Sequence, residues 1–231
     1  MYARIMTAAF QPTLFDSAVE RPCFRPLPPA APAAGDSVGA GTRTPLSDGA
    51  WVELHPNWLR GAQALPGRLV QTVDWRAERR TMYDRVVDVP RLVRFYGEGE
   101  PLPHPLIAQG LSLLSDHFGA ELGEPFRTVG MCRYRDGADS VAWHGDDIGR
   151  GRTEDTMVAI LSLGTARTLL LRPRRRADGA GRSASLRFPL GHGDLIVMGG
   201  SCQRTWEHCI PKSARVRGSR ISVQFRPRGV R

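Results

Sequence analysis

A chain of 231 residues, 41% of them hydrophobic, carries enough apolar surface for one sizeable core with an appendage. Its net charge of +9 rests almost wholly on arginine, Lys212 being the only lysine; this suits phosphate recognition but equally suits GC-rich codons, so basicity alone decides nothing. No apolar run approaches the roughly 18 residues of a membrane-spanning helix, and Cys23, Cys132, Cys202 and Cys209 have neither disulfide-scaffold nor zinc-finger spacing, so a cytoplasmic protein without membrane contact is expected. From the N-terminus, residues 1–45 lack a hydrophobic period and carry Pro26, Pro28, Pro29 and Pro32. They are expected to form a mostly disordered tail ahead of a single domain over 46–231. Leu59 to Val73 has helical spacing, but Pro66 and Gly67 are expected to delay the helix until Arg68. Leu106, Leu111, Leu114 and Phe118, opened by Pro105 and closed by Gly119, predict a second helix.

After Arg127 the pattern changes to short strands, predicted over 128–134, 140–144, 157–163, 168–172, 185–188, 195–198, 205–210 and 219–226. Helices first and short strands after predict an α+β chain: a double-stranded β-helix, or jelly-roll, core buttressed by N-terminal helices. Residues 193–200 read as an apolar strand ending in two glycines, with Gln203 to His208 placed on a return strand.

Within this frame one constellation carries chemistry. In an extended segment residues two apart share a face, so His144 and Asp146 can reach one metal ion while Gly145 points away. Two imidazoles, with His208 as the second, and one carboxylate leave three sites of an octahedral Fe(II) open. The pair alone also reads as a polar turn after a strand, and His208 alone as a strand histidine. Arg220 and Arg226 share a face of the last strand, roughly 20 Å apart at full extension. A planar guanidinium there suits the free carboxylate of a keto acid.

The chain resembles the AlkB family of iron- and 2-oxoglutarate-dependent dioxygenases that repair alkylated nucleic acid. The resemblance is carried by Tyr134-Arg135-Asp136-Gly137, residues 140–147 (SVAWHGDD), Leu161-Ser162-Leu163-Gly164, residues 193–200 (GDLIVMGG), Trp206-Glu207-His208 and residues 220–226, in the family's order. It implies that His144, Asp146 and His208 bind Fe(II), and that Arg220, helped by Tyr134, grips the distal carboxylate of 2-oxoglutarate. Arg226 would lie near the chelating end. It further implies oxidative removal of methyl groups from 1-methyladenine or 3-methylcytosine in DNA, with dioxygen as the other co-substrate and formaldehyde and succinate as products. RNA or protein substrates remain the alternative within the family, and an inactive nucleic-acid or clamp-binding module the alternative outside it. Retention of His144, Asp146, His208 and Arg220 together argues against the latter.

Two positions depart from the family. Cys132 stands where many members have asparagine, and Ile148 where an acidic residue often touches the damaged base, for which the neighbouring Asp147 is the substitute. Stacking candidates for a cationic base are Phe95 and Tyr96, then Tyr83 and Trp143, each also readable as a core aromatic. Arg79 and Arg80, with Arg76, Arg85 and Arg94, form a basic region suited to a phosphate backbone or to a solvated face. Gln11, Leu14 and Phe15 resemble a Gln-x-x-Leu-Phe peptide that docks on a sliding clamp; a stray apolar pair packing back on the domain is the other reading.

Overall fold

The computed structural model of the chain describes residues 21–29, 41, 43–82, 85–174 and 184–230, and over 78–82 and 85–88 the backbone alone. Every strand pair is antiparallel. The larger sheet has eight strands. Taken along the chain they are β2 (Arg43–Pro45), β3 (Ala50–His55), β5 (Arg76–Met82), β6 (Arg85–Tyr96), β7 (Thr128–Tyr134), β9 (Val158–Gly164), β12 (Leu195–Gly200) and β14 (Arg220–Arg226). Their order across the sheet is β2-β3-β12-β9-β14-β7-β6-β5. The smaller sheet runs β11 (Leu186–Leu190), β10 (Arg167–Pro173), β13 (Trp206–Ile210), β8 (Val141–His144), and a two-stranded pair joins β1 (Cys23–Phe24) to β4 (Leu59–Arg60).

Period-two alternation explains the layering. Val158, Ile160, Ile196 and Met198 of the large sheet pack with Leu169, Leu171, Phe188 and Leu190 of the small one. Their neighbours Ala159, Leu161, Leu163, Leu195 and Val197 point the other way, onto Leu65 and Leu69 of α1 (Leu65–Thr72) and Ile107, Leu114 and Phe118 of α2 (Pro105–Leu122). The large sheet is therefore the middle of three layers. That is why β9 and β12 are continuous apolar runs rather than alternating ones: both faces are buried. Helices on one face and a second sheet on the other give the expected jelly-roll core.

The structure corrects several boundaries. α1 begins at Leu65, not Arg68, because Pro66 sits in the first turn, where a missing N–H costs nothing. The segment 203–208 is not all strand: a single turn, α3 (Cys202–Thr205), precedes β13. The expected tail contributes β1 and β2, and the Phe24 ring lies 4.5 Å from that of Trp58. The strands β3, β5 and β6 were not anticipated. Gln11, Leu14, Phe15 and Tyr83 lie outside the described residues. Among the described residues no helix is long and apolar enough to cross a membrane.

Candidate active site

On β14, Ile221, Val223 and Phe225 belong to the helix-side core, so Arg220, Ser222, Gln224 and Arg226 face the small sheet. Across β7 these four stand opposite Tyr134, Cys132, Gly130 and Thr128, which share that face. A polar strip thus runs through an otherwise apolar space between the sheets.

Arg220 closes one end of the strip. It is 1% exposed, donates from Nε to Ser162 Oγ at 3.0 Å, and lies 5.4 Å from the buried Tyr134 ring. Its Nη1 and Nη2 have no well-formed hydrogen-bond partner among the described residues. Burial pulls the guanidinium below its ordinary pKa and pushes the Tyr134 phenol up. A buried cation whose two Nη donors have at most the Tyr134 phenol beside them is costly unless an anion completes it. The flat pair of donors fits one carboxylate.

The other end holds the expected metal ligands. His144 on β8 is paired with His208 on β13, their ring centroids 4.3 Å apart. The His144 Nδ1 lies 2.8 Å from the Ala142 carbonyl, which can only accept, so Nδ1 carries a proton and in the neutral ring the lone pair is on Nε2. Burial first, then His144, pushes His208 down to about 3, leaving it neutral near pH 7 and competent as a ligand. Asp146 follows on the loop, 5% exposed, with both carboxylate oxygens 3.1 Å from Nη2 of Arg226. Burial would raise its pKa, but Arg226, His208 and His144 outweigh that and hold it at about 2. Its backbone N–H donates to Gln203 Oε1 at 3.0 Å. Gly145 is required between the two ligands, since a Cβ there would run into the Gln203 carbonyl oxygen.

Among the described residues no three His, Cys, Asp or Glu side chains converge as a ready coordination cluster, and Asp146 is paired with Arg226. The donor chemistry nevertheless fits a divalent cation: two neighbouring imidazoles, one with a free Nε2 and one neutral, beside an ionised carboxylate. A carboxylate has lone pairs for more than one partner, so Asp146 can join the two imidazoles on a cation while keeping its Arg226 contact. The idle nitrogens of Arg220 fit the keto acid at the opposite end.

The substrate candidates separate. Phe95 stands opposite Gly130 and so shares the face of the polar strip. Tyr96, one residue on, points to the helices, 6% exposed, with the Arg94 guanidinium 4.4 Å from its ring centre; strand alternation removes it from the site. Trp143 is removed for the same reason. Leu169 and Leu171 of β10 face inward, so Arg172 faces out, and its guanidinium covers the Trp143 ring at 3.9 Å. Asp147 is paired with Arg174 at 2.8 Å, and Ile148 is 63% exposed. Cys132, opposite Ser222, lines the strip. Arg79 and Arg80 lie on β5, where only the backbone is described, while Arg76 pairs with Asp74 and Arg94 with Glu100.

Sequence reasoning missed Ser162, Ser222, Gln224 and Gln203. For Ser222 and Gln224 the signal existed, as polar residues alternating with Ile221, Val223 and Phe225. Gly130 is the counterpart across the sheet: a Cβ there would strike the Arg226 guanidinium and the Gln224 amide.

Similar sequences and folds occur among known proteins. Residues 100–226 match the family described as the 2OG-Fe(II) oxygenase superfamily. The chain is 32% identical over 195 residues to the alpha-ketoglutarate-dependent dioxygenase alkB homolog 3 of Rattus norvegicus, an alignment covering 76% of this chain and 65% of that protein, just under two thirds of its length. Its Homo sapiens counterpart is 32% identical over 200 residues, with 76% and 67% covered. The DNA oxidative demethylase ALKBH2 of Homo sapiens is 31% identical over 118 residues, 50% of this chain and 45% of its own. In fold, the chain is similar to OsALKBH1 at a TM-score of 0.53 and 15% identity, covering 80% of this chain and 99% of that one. It is also similar to a Pseudomonas putida prolyl-4-hydroxylase at a TM-score of 0.50 and 17% identity, covering 77% and 93%. The chain belongs to the 2OG-Fe(II) oxygenase superfamily and, within it, to the AlkB family of Fe(II)- and 2-oxoglutarate-dependent dioxygenases.

Proposed function

We propose that this chain removes methyl groups oxidatively from 1-methyladenine and 3-methylcytosine in DNA, consuming 2-oxoglutarate and dioxygen and releasing formaldehyde and succinate. The observation that carries the reading is the buried Arg220 with two idle donors, set at the far end of the strip from His144, Asp146 and His208. Similarity to a DNA oxidative demethylase of Homo sapiens supports the substrate class.

In this reading His144, Asp146 and His208 hold Fe(II), and Arg220 takes the distal carboxylate of 2-oxoglutarate in a bidentate grip. Tyr134, buried and un-ionised beside that arginine, walls the pocket with Ser162 and Cys132. Arg226, once Asp146 is on the metal, keeps a positive charge near the chelating end of the keto acid. Bound iron supplies, with the two co-substrates, the oxidising power to hydroxylate an N-linked methyl group, after which formaldehyde leaves. Phe95 offers a ring on the site's face against which an extruded cationic base stacks. Methylation at a pairing position makes such a base cheaper to unstack, which favours damaged over intact nucleotides.

The test is formaldehyde release from oligonucleotides carrying 1-methyladenine or 3-methylcytosine, single- and double-stranded, as DNA and as RNA, with and without 2-oxoglutarate. Release from DNA that requires 2-oxoglutarate is expected. Release from RNA alone moves the substrate to RNA, and 2-oxoglutarate turnover without release from any oligonucleotide contradicts a nucleic-acid substrate.

A further inference from the structure

The ladder between β8 and β13 ends where His144 pairs with His208, so Asp146, beyond that end, has no strand partner to fix it. Gln203 stands in its place. It is 2% exposed, on the α3 turn that leads directly into the strand bearing His208. Its Oε1 accepts the Asp146 backbone N–H at 3.0 Å, across 57 residues of sequence. Its main-chain oxygen presses on Gly145, leaving no room there for a side chain. Because a backbone N–H can only donate, the amide orientation is settled: the oxygen faces Asp146 N–H and the nitrogen is the free end. That Nε2 is buried without a partner among the described residues. Idle buried donors are rare and call for an acceptor.

We propose that Gln203 is a positioning residue of the metal centre: its amide oxygen fixes the Asp146 loop relative to the strand of His208, and its idle amide N–H is a donor available to the Asp146 carboxylate. The inference rests on His144, Asp146 and His208 being the metal ligands. It adds a residue that touches neither metal nor substrate but sets the distance between two ligands. The chemistry is that of outer partners at metal sites generally, where the ligand's own hydrogen bonds determine its aim.

The experiment is titration of the 231-residue chain with Co(II) alone, without co-substrate, read by equilibrium affinity and by the visible absorption of the bound ion. Wild type, Asp146→Ala, Gln203→Met and Gln203→Asn are compared, with thermal unfolding of the metal-free proteins as the check on folding. Met keeps the length and loses both hydrogen bonds; Asn keeps the amide and loses the reach. Wild type is expected to bind, Asp146→Ala to bind far more weakly with a changed spectrum. Gln203→Met should lose roughly 10- to 100-fold in affinity, with a shifted spectrum and an unfolding temperature close to wild type. Wild-type affinity and spectrum in Gln203→Met overturn the proposal. Should that variant not fold, Gln203→Asn decides by the same criteria. Failure of wild type to bind Co(II), or undiminished binding by Asp146→Ala, overturns instead the metal-site reading beneath it.

Discussion

Burial keeps His208 neutral and neighbouring positive charges keep Asp146 ionised, and a pH dependence follows from both. An unfolded histidine takes a proton near 6.5, whereas folded His208 resists until about 3. Below 6.5 the unfolded chain therefore binds more protons than the folded one, and stability falls with pH across that window. Asp146, at about 2 against 3.8, adds a loss of the same sign further down, as the pH falls from 3.8 toward 2. Denaturation midpoints of the metal-free protein are thus expected to drop between about pH 7 and pH 5, and to drop less in His208→Gln. Single residues also show what sequence could not resolve. Phe95 and Tyr96, or Trp143 and His144, are neighbours in the text but lie on opposite faces of their strands. If Phe95 stacks the base, Phe95→Ala weakens binding of a methylated oligonucleotide by about 1–3 kcal/mol, as base–aromatic stacks do. Trp143→Ala, on the outer surface, leaves that binding unchanged. Equal effects of the two substitutions in a binding titration would remove the stacking assignment from Phe95.

At the scale of elements, β14 divides into a face that folds the protein and a face that serves the site. Phe225→Ala empties space in the helix-side core and is expected to cost about 3–5 kcal/mol in chemical denaturation. Arg220→Lys keeps the charge and loses the planar fork. It is expected to raise the 2-oxoglutarate requirement well beyond any change in DNA affinity, measured by initial rates over a co-substrate series. An unchanged requirement would move the carboxylate grip elsewhere. The strands from β7 onward were legible because each is a short apolar or alternating run bounded by Gly, Pro or Asp. So were the two ends of the site, since two histidines, an aspartate and an arginine have a fixed order. The hairpin of β5 and β6 was not legible: Arg76 to Met82 is mostly charged and polar, and Pro90 interrupts β6, so its strand character comes from adding to the sheet edge beside β7. Gln203 left no trace in the sequence either, because its role depends on a contact 57 residues away.

For the molecule as a whole, the layers bury Arg220, Ser222 and Gln224 of the strip, while the excess of 32 Lys and Arg over 23 Asp and Glu favours a polyanion outside. Binding of a DNA oligonucleotide should weaken linearly in log affinity against log salt, and a flat response would mean that the basic surface does not meet phosphates. The N-terminal Gln11, Leu14 and Phe15 remain a proposal for docking on a sliding clamp. A peptide over residues 8–19 is expected to bind the clamp, and binding that survives Leu14→Ala with Phe15→Ala would end that idea. The buried arginine at one end of the strip and the two histidines and aspartate at the other are proposed to form one site for metal and keto acid. Equilibrium titration of 2-oxoglutarate into the protein without dioxygen, with and without Fe(II), tests it most directly. Saturable binding that Fe(II) strengthens and Arg220→Met abolishes is expected; binding indifferent to both the metal and Arg220 would mean that the two ends do not form one site.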